Sequence, residues 1–155
     1  PESLLINSFQ KNVTPGNKKH MRIFLDACII IYWVECAQPF HAKLLAQLAS
    51  IAEQHPKHLL TISRLSLLEC LVKPLRHQEK SILKIYQDFF ESPSLSIVEI
   101  DAQVIDIATL LRSKYALRTP DAIQAASCLS AKTPHRFLTN DKRFSNIPTL
   151  HTMQL

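Results

Sequence analysis

The chain has 155 residues, the size of one ordinary domain, and its 46% hydrophobic and 20% charged composition excludes a disordered or fibrous protein. A single glycine, Gly16, stands against nine prolines, which excludes the Walker loop and the dinucleotide fingerprint, since both need several glycines to bring backbone close to phosphate. The net charge is +5, from 18 basic and 13 acidic residues, a mild excess that suits a phosphate-rich partner without requiring one.

The longest uncharged apolar run, Ala27 to Val34, falls far short of the roughly 20 residues that cross a bilayer. The first residues also lack the basic start and apolar centre of a secretory signal. Cys28, Cys36, Cys70 and Cys128 form no CxxC pair and lie mostly in apolar runs. They read as reduced core residues of a cytoplasmic protein, not as disulfides or a zinc site.

Residues 1–20 are polar and without sustained periodicity, which predicts an N-terminal extension or flexible arm ahead of a domain over 21–155. MRIFL is a short strand ending at Asp26, and a second apolar run follows it. From Gln38 to Gln54 the residues Phe40, Leu44, Leu45, Leu48 and Ile51 recur at helical spacing until Pro56 stops the pattern. HLLTIS reads as the next strand.

Arg64–Arg76 is predicted helical with Leu65, Leu68 and Val72 on one face, and Gln78–Glu91 helical with Ile82, Ile85, Phe89 and Phe90. LSIVEI is a strand, Asp101–Ala116 and Pro120–Lys132 are helices, and HRFLT is the last clear strand. Strands separated by helices imply crossover connections, hence a three-layer α/β/α domain with a central parallel sheet. Ligands of such sheets bind beyond the carboxyl ends of the strands.

Acidic residues in apolar surroundings draw attention because an unpaired buried carboxylate costs several kcal/mol. Asp26 interrupts IFLDACIII at the end of the first strand, and Glu69 lies in LSLLECLV on or beside the buried face. Asp121 follows Thr119 and Pro120, read as N-cap and first helical residue, and Asp141 ends FLTND. Each has a plainer reading. Asp26 would cap the next helix, Glu69 would pair with Arg64, Lys73 or Arg76, Asp121 would complement a helix dipole, and Asp141 would serve a turn. Gathered at one rim of the sheet, however, carboxylates about 5 Å apart repel by roughly 3 kcal/mol per pair at an effective dielectric near 20. A divalent cation removes that repulsion, and an all-oxygen ligand set favours Mg²⁺ or Mn²⁺ over zinc.

At MRIFLDACIII, LSLLECLV, YALRTPDAIQAASCL and FLTNDKRF the chain resembles PIN-domain ribonucleases, most closely the VapC-type toxins of toxin–antitoxin systems, over Met21 to Leu155. The resemblance implies that Asp26, Glu69, Asp121 and Asp141 are the catalytic, metal-binding acids, Asp141 as a ligand or a water-positioning base. Thr139 and Asn140 would orient ligands or water. Arg112, Lys114 and Arg118, ahead of the Asp121 helix, are candidates for RNA phosphate contacts. The implied activity is metal-dependent endoribonuclease cleavage of RNA with Mg²⁺ or Mn²⁺, and the implied partners are a small antitoxin and a second copy in a homodimer.

One position departs from the family. Where relatives carry Asn or Ser two residues after the first acid, this chain has Cys28, a poorer hydrogen-bonding group. That substitution keeps open a non-catalytic PIN-like module that binds RNA or a protein partner. The same cysteine argues against a phosphoaspartyl enzyme of the haloacid-dehalogenase type, which needs a second Asp there. Tyr32 and Trp33 read as core or dimer contacts, and a face with Trp33 and Phe40 would suit such an interface.

Overall fold

The structure, a computed structural model, describes residues 20–155. The N-terminal extension expected over residues 1–20 lies, except for His20, outside the described residues. In chain order the elements are β1 (Arg22–Leu25), α1 (Ala27–Val34), α2 (Phe40–Gln54), β2 (Leu59–Ser63), α3 (Leu65–Arg76), α4 (Lys80–Phe90), β3 (Leu95–Val98), α5 (Ala102–Tyr115), α6 (Thr119–Ser130), β4 (His135–Thr139) and β5 (Thr152–Gln154), with a 3₁₀ turn at Lys142–Asn146. The strands form one sheet in the order β3-β2-β1-β4-β5, every pairing parallel.

The three-layer architecture follows from how β1 and β4 are covered. Side chains alternate across a strand, so a strand covered on both faces reads as an unbroken apolar run. Ile23 and Leu25 of β1 and Leu138 of β4 join the core under α1 to α4, with Ile29, Ile30, Leu44 and Tyr86. Phe24 and Phe137 point the other way, into the core built with α5 and α6 around Val104, Ala108, Ala125 and Phe144.

Four findings complete or correct the sequence reading. The apolar run after Asp26 is helix α1, started where the Asp26 side chain accepts a hydrogen bond from the Ala27 amide. Helix α6 begins one residue earlier than expected. Arg118 is the N-cap residue, its carbonyl accepts from the Ala122 amide at 2.9 Å, and Thr119 is already helical. β5 is an additional strand, paired through Phe137↔Thr152 to Thr139↔Gln154. It is too short and too polar to leave a period in the sequence.

The fourth is the orientation of α3. Leu68 and Val72, expected to be buried, are 64% and 48% exposed, while Ser66, Cys70 and Pro74 face the core. The buried side of this helix is written in small and polar residues. Ser66 is fully buried and accepts a hydrogen bond from Gln124 of α6 at 3.0 Å, and the short serine lets the two helices approach. On α4 the buried residue is Tyr86, whose hydroxyl donates to Glu35 at 2.8 Å, and Ile85 is exposed.

Tyr32 and Trp33 are partly buried against the core, Tyr32 stacked on Phe40 and Trp33 edge-on to Phe89. Leu68, Val72 and Leu75 form an exposed apolar stripe on α3, whereas Trp33 and Phe40 are partly buried. All four cysteines are free; Cys70 and Cys128 are core residues, Cys28 is half-buried and Cys36 is exposed. With only one glycine in the chain, left-handed backbone after helices falls to Cys36, Gln78, Ala116 and Lys132, at about 1 kcal/mol each. No helix among the described residues is long and apolar enough to cross a membrane.

Candidate functional site

After β1 the chain builds outward through β2 and β3, then returns to the other side of β1 for β4. The carboxyl ends of β1 and β4 thus flank the point where strand order reverses, where crevices form in open parallel sheets. Asp26 sits there. Leu25 is in register with Leu138, and the Asp26 amide donates to the Leu138 carbonyl at 3.0 Å. Its carboxylate is buried, 8% exposed, with Oδ1 accepting from the Ala27 amide at 2.8 Å and Oδ2 from the Thr139 hydroxyl at 2.7 Å. Cys28 adds a long thiol contact to Oδ2, 3.5 Å. Asp26 is thus a helix cap and a rim carboxylate at once.

Glu69 reaches the same rim from α3, half-buried, and accepts from Gln124 Nε2 at 2.6 Å. Of its expected ion-pair partners, Arg64 pairs instead with Glu99. Asp121, in the first turn of α6, is close enough to Asp26 and Glu69 for its charge to act on both. Its Oδ2 is buried and receives no hydrogen bond. Arg143 Nη1 lies 3.1 Å from that oxygen, an ion-pair distance without hydrogen-bond alignment.

Asp141 is held in its own turn. It accepts from the Arg143 amide at 2.9 Å and from the Arg143 guanidinium through Nε and Nη2. The Asp121 charge thus acts on Asp26 and Glu69, and Arg143 links Asp121 to Asp141. Asp26, Glu69 and Asp141 accept hydrogen bonds from protein donors while Asp121 has only its ion pair with Arg143, and among the described residues no three His, Cys, Asp or Glu side chains form a group that could hold a metal ion as they stand.

Of the two supporting residues, Thr139 is fully buried and bridges the site, accepting from the Asp141 amide at 3.0 Å while donating to Asp26. Asn140 turns to the Tyr32 hydroxyl, 3.4 Å away. Arg112 and Lys114 are exposed in the last turn of α5, where they also favour its dipole, and Arg118 is exposed with its charge acting on Asp141. Sequence reasoning missed Gln124 and Arg143. The signal for Gln124 was a polar residue one turn after Asp121 in an alanine-rich buried run; for Arg143, a cation two residues after Asp141.

The sequence model of the PIN domain family matches residues 23–150. The chain belongs to the PIN domain family. Among curated proteins no sequence matches it. Solved structures share its fold at low identity. A chain of VapBC2 from Rickettsia felis, bound to a promoter DNA fragment, is 19% identical with a TM-score of 0.65, over 87% of this chain and 99% of that one. A toxin–antitoxin complex from Klebsiella pneumoniae gives 19% identity and TM-score 0.60 over 84% and 95%. FitAcB from Neisseria gonorrhoeae gives 18% and 0.60 over 84% and 96%.

Burial raises the Asp26 carboxyl of this PIN domain above the usual range, against the pull of Thr139, Cys28 and the Ala27 amide, and the Asp121 charge raises it further. Glu69 is raised by burial too, opposed by Gln124, with Asp26 and Asp121 adding to the rise. Hydrogen bonds from Arg143 hold Asp141 below the ordinary range. Burial and the Asp26 charge push the Cys28 thiol up to about 12, so it stays a protonated donor.

The sign of the pH dependence follows. A carboxyl raised on folding stabilises the fold below its unfolded pKa, and that contribution is lost as the pH rises through its folded pKa. Without metal, Asp26→Asn should therefore gain in Tm relative to wild type as the pH rises above the ordinary carboxylate range. Paired thermal melts in EDTA check this; a difference moving the other way would contradict it.

Thr139→Val removes one donor from buried Asp26 and the acceptor of the Asp141 amide. It should cost about 1–3 kcal/mol in urea unfolding, the range for buried polar groups left unpaired. A loss under about 0.5 kcal/mol would show that the bridge carries little weight.

Proposed function

We propose that this PIN domain is a metal-dependent endoribonuclease that hydrolyses RNA phosphodiester bonds and acts as the toxin of a toxin–antitoxin pair. What supports the reading is that the charges of Asp26, Glu69 and Asp121 act on one another near the switch point of the sheet, beside a buried Asp121 oxygen that lacks a hydrogen-bond donor. An oxygen-only donor set of this kind fits Mg²⁺ or Mn²⁺. Asp26, Glu69 and Asp121 would be the ligands, with Asp141 a fourth ligand or a water-positioning base. When bound, the ion supplies charge that makes water a nucleophile near neutral pH and offsets negative charge building on the phosphate.

The chain's own residues prepare this. Thr139 and the Ala27 amide fix the Asp26 carboxylate at the strand end, and Gln124 presents Glu69 from the neighbouring helix. Raised pKa values at Asp26 and Glu69 mean that protons compete with cations there, so metal affinity rises with pH beyond the usual carboxylate range. Arg112, Lys114 and Arg118 would meet RNA phosphates, a contact weakened by salt.

Solved structures with this fold include a toxin–antitoxin complex from Klebsiella pneumoniae, which supports a small antitoxin as the protein partner. A homodimer and a cytoplasmic setting belong to the same proposal. The test is a mixed RNA pool incubated with the purified protein in Mg²⁺, Mn²⁺ or EDTA. Cleavage in metal that EDTA abolishes is expected. Uncut RNA in every metal, with a folded protein, would overturn the nuclease and leave a non-catalytic binding module, the reading that Cys28 favours.

A further inference from the structure

We propose that Arg143 is a resident counter-ion of the acidic rim, which a divalent cation must displace in order to bind. The inference rests on the metal reading above and adds a residue that competes with the metal. Its guanidinium bridges two of the acids, contacting Asp121 through Nη1 at 3.1 Å and Asp141 through Nε and Nη2, and its charge also reaches Asp26. Arg64, His77 and Lys84 each pair with a single carboxylate, whereas Arg143 pairs with two. It stands against the buried Asp121 oxygen that lacks a hydrogen bond.

The geometry also supplies a way out. The Arg143 side chain is 44% exposed, whereas its turn is anchored by Phe144, buried against Phe137 with ring centroids 4.8 Å apart. The guanidinium can swing into solvent while the backbone stays in place. The two arms are unequal. Asp141 holds Arg143 by aligned hydrogen bonds, but the Asp121 contact lacks that alignment. The Asp121 arm therefore releases first. A guanidinium and a divalent ion beside the same carboxylate oxygen repel each other, so occupation by arginine opposes occupation by the ion.

Calorimetric titration of the full chain with MnCl₂ tests this, comparing wild type, Arg143→Gln and Lys142→Gln. Lys142 is the adjacent exposed cation and makes no ion pair among the described residues, so its loss changes net charge equally without touching the acids. Arg143→Gln should bind Mn²⁺ about two- to fivefold tighter, the scale of one partly exposed ion pair removed from competition. Lys142→Gln should stay close to wild type. Equal or weaker binding by Arg143→Gln, beside a wild type that binds, overturns the proposal and leaves the metal reading standing, as does equal tightening by Lys142→Gln. Absence of Mn²⁺ binding in all three folded proteins overturns the metal reading and this inference with it.

Discussion

Asp26→Asn is expected to lower metal-dependent RNA cleavage by about a thousandfold, the scale of losing a group that places charge at the reacting centre, while the protein still melts cooperatively. The reason lies in where Asp26 stands. It ends the central strand, its backbone is fixed by the Leu138 carbonyl, and its side chain is 8% exposed among three hydrogen-bond donors. Asparagine keeps the shape and can still accept from the Ala27 amide. What it loses is the negative charge. Folding should survive, because burial already disfavours the charged form of this group. Quantitative cleavage of labelled RNA, with circular dichroism on the same samples, separates lost chemistry from lost structure. Cleavage within about tenfold of wild type would remove Asp26 from the catalytic set.

Phe137→Ala is expected to cost about 3–5 kcal/mol in urea unfolding, the range for truncating a buried aromatic. Phe137 is fully buried, stacked on Phe24 at 5.4 Å and tilted against Phe144 at 4.8 Å. These contacts join three pieces of the site. Phe24 lies on β1 two residues before Asp26, Phe137 on β4 two residues before Thr139, and Phe144 in the turn that carries Arg143. Truncation opens a cavity beneath the switch point, so catalysis should fail together with stability. Phe137→Leu, which retains most of the volume, should cost less than half as much. A loss below about 1.5 kcal/mol for the alanine variant would mean that the helix layer collapses to fill the gap.

What could be read from the sequence depended on whether burial left a period. β1 and β4, covered on both faces, announce themselves as apolar runs, and α2 and α5 carry helical spacing. The rotation of α3 was hidden, since Ser66 and Cys70 are the residues that face inward while Leu68 and Val72 stay exposed. Apolar periodicity locates a hydrophobic stripe, and on α3 the stripe is not the core face. β5 escaped because three residues of an edge strand owe their place to the ladder with β4, a non-local cause.

The site divides in the same way. Asp26, Glu69 and Asp121 were visible as acids in apolar settings, and the fold brings them to one rim. Gln124 and Arg143 were not. Gln124 acquires its role only when α6 packs on α3 and sets its amide against Glu69 at 2.6 Å. Arg143 acquires its role when the 3₁₀ turn swings it back over Asp121. Both depend on tertiary placement, which no single segment encodes. Cys28 was legible as a departure, and its thiol does reach Asp26, at the length of a weak sulfur contact.

The most direct single measurement is anomalous diffraction from a crystal of the full chain soaked in MnCl₂. Metal-dependent chemistry at this rim predicts a manganese peak among Asp26, Glu69 and Asp121, with Asp26 oxygen within coordination range and Arg143 turned away from Asp121. A fully soaked crystal with no peak there, and with Arg143 still bridging Asp121 and Asp141, would contradict it.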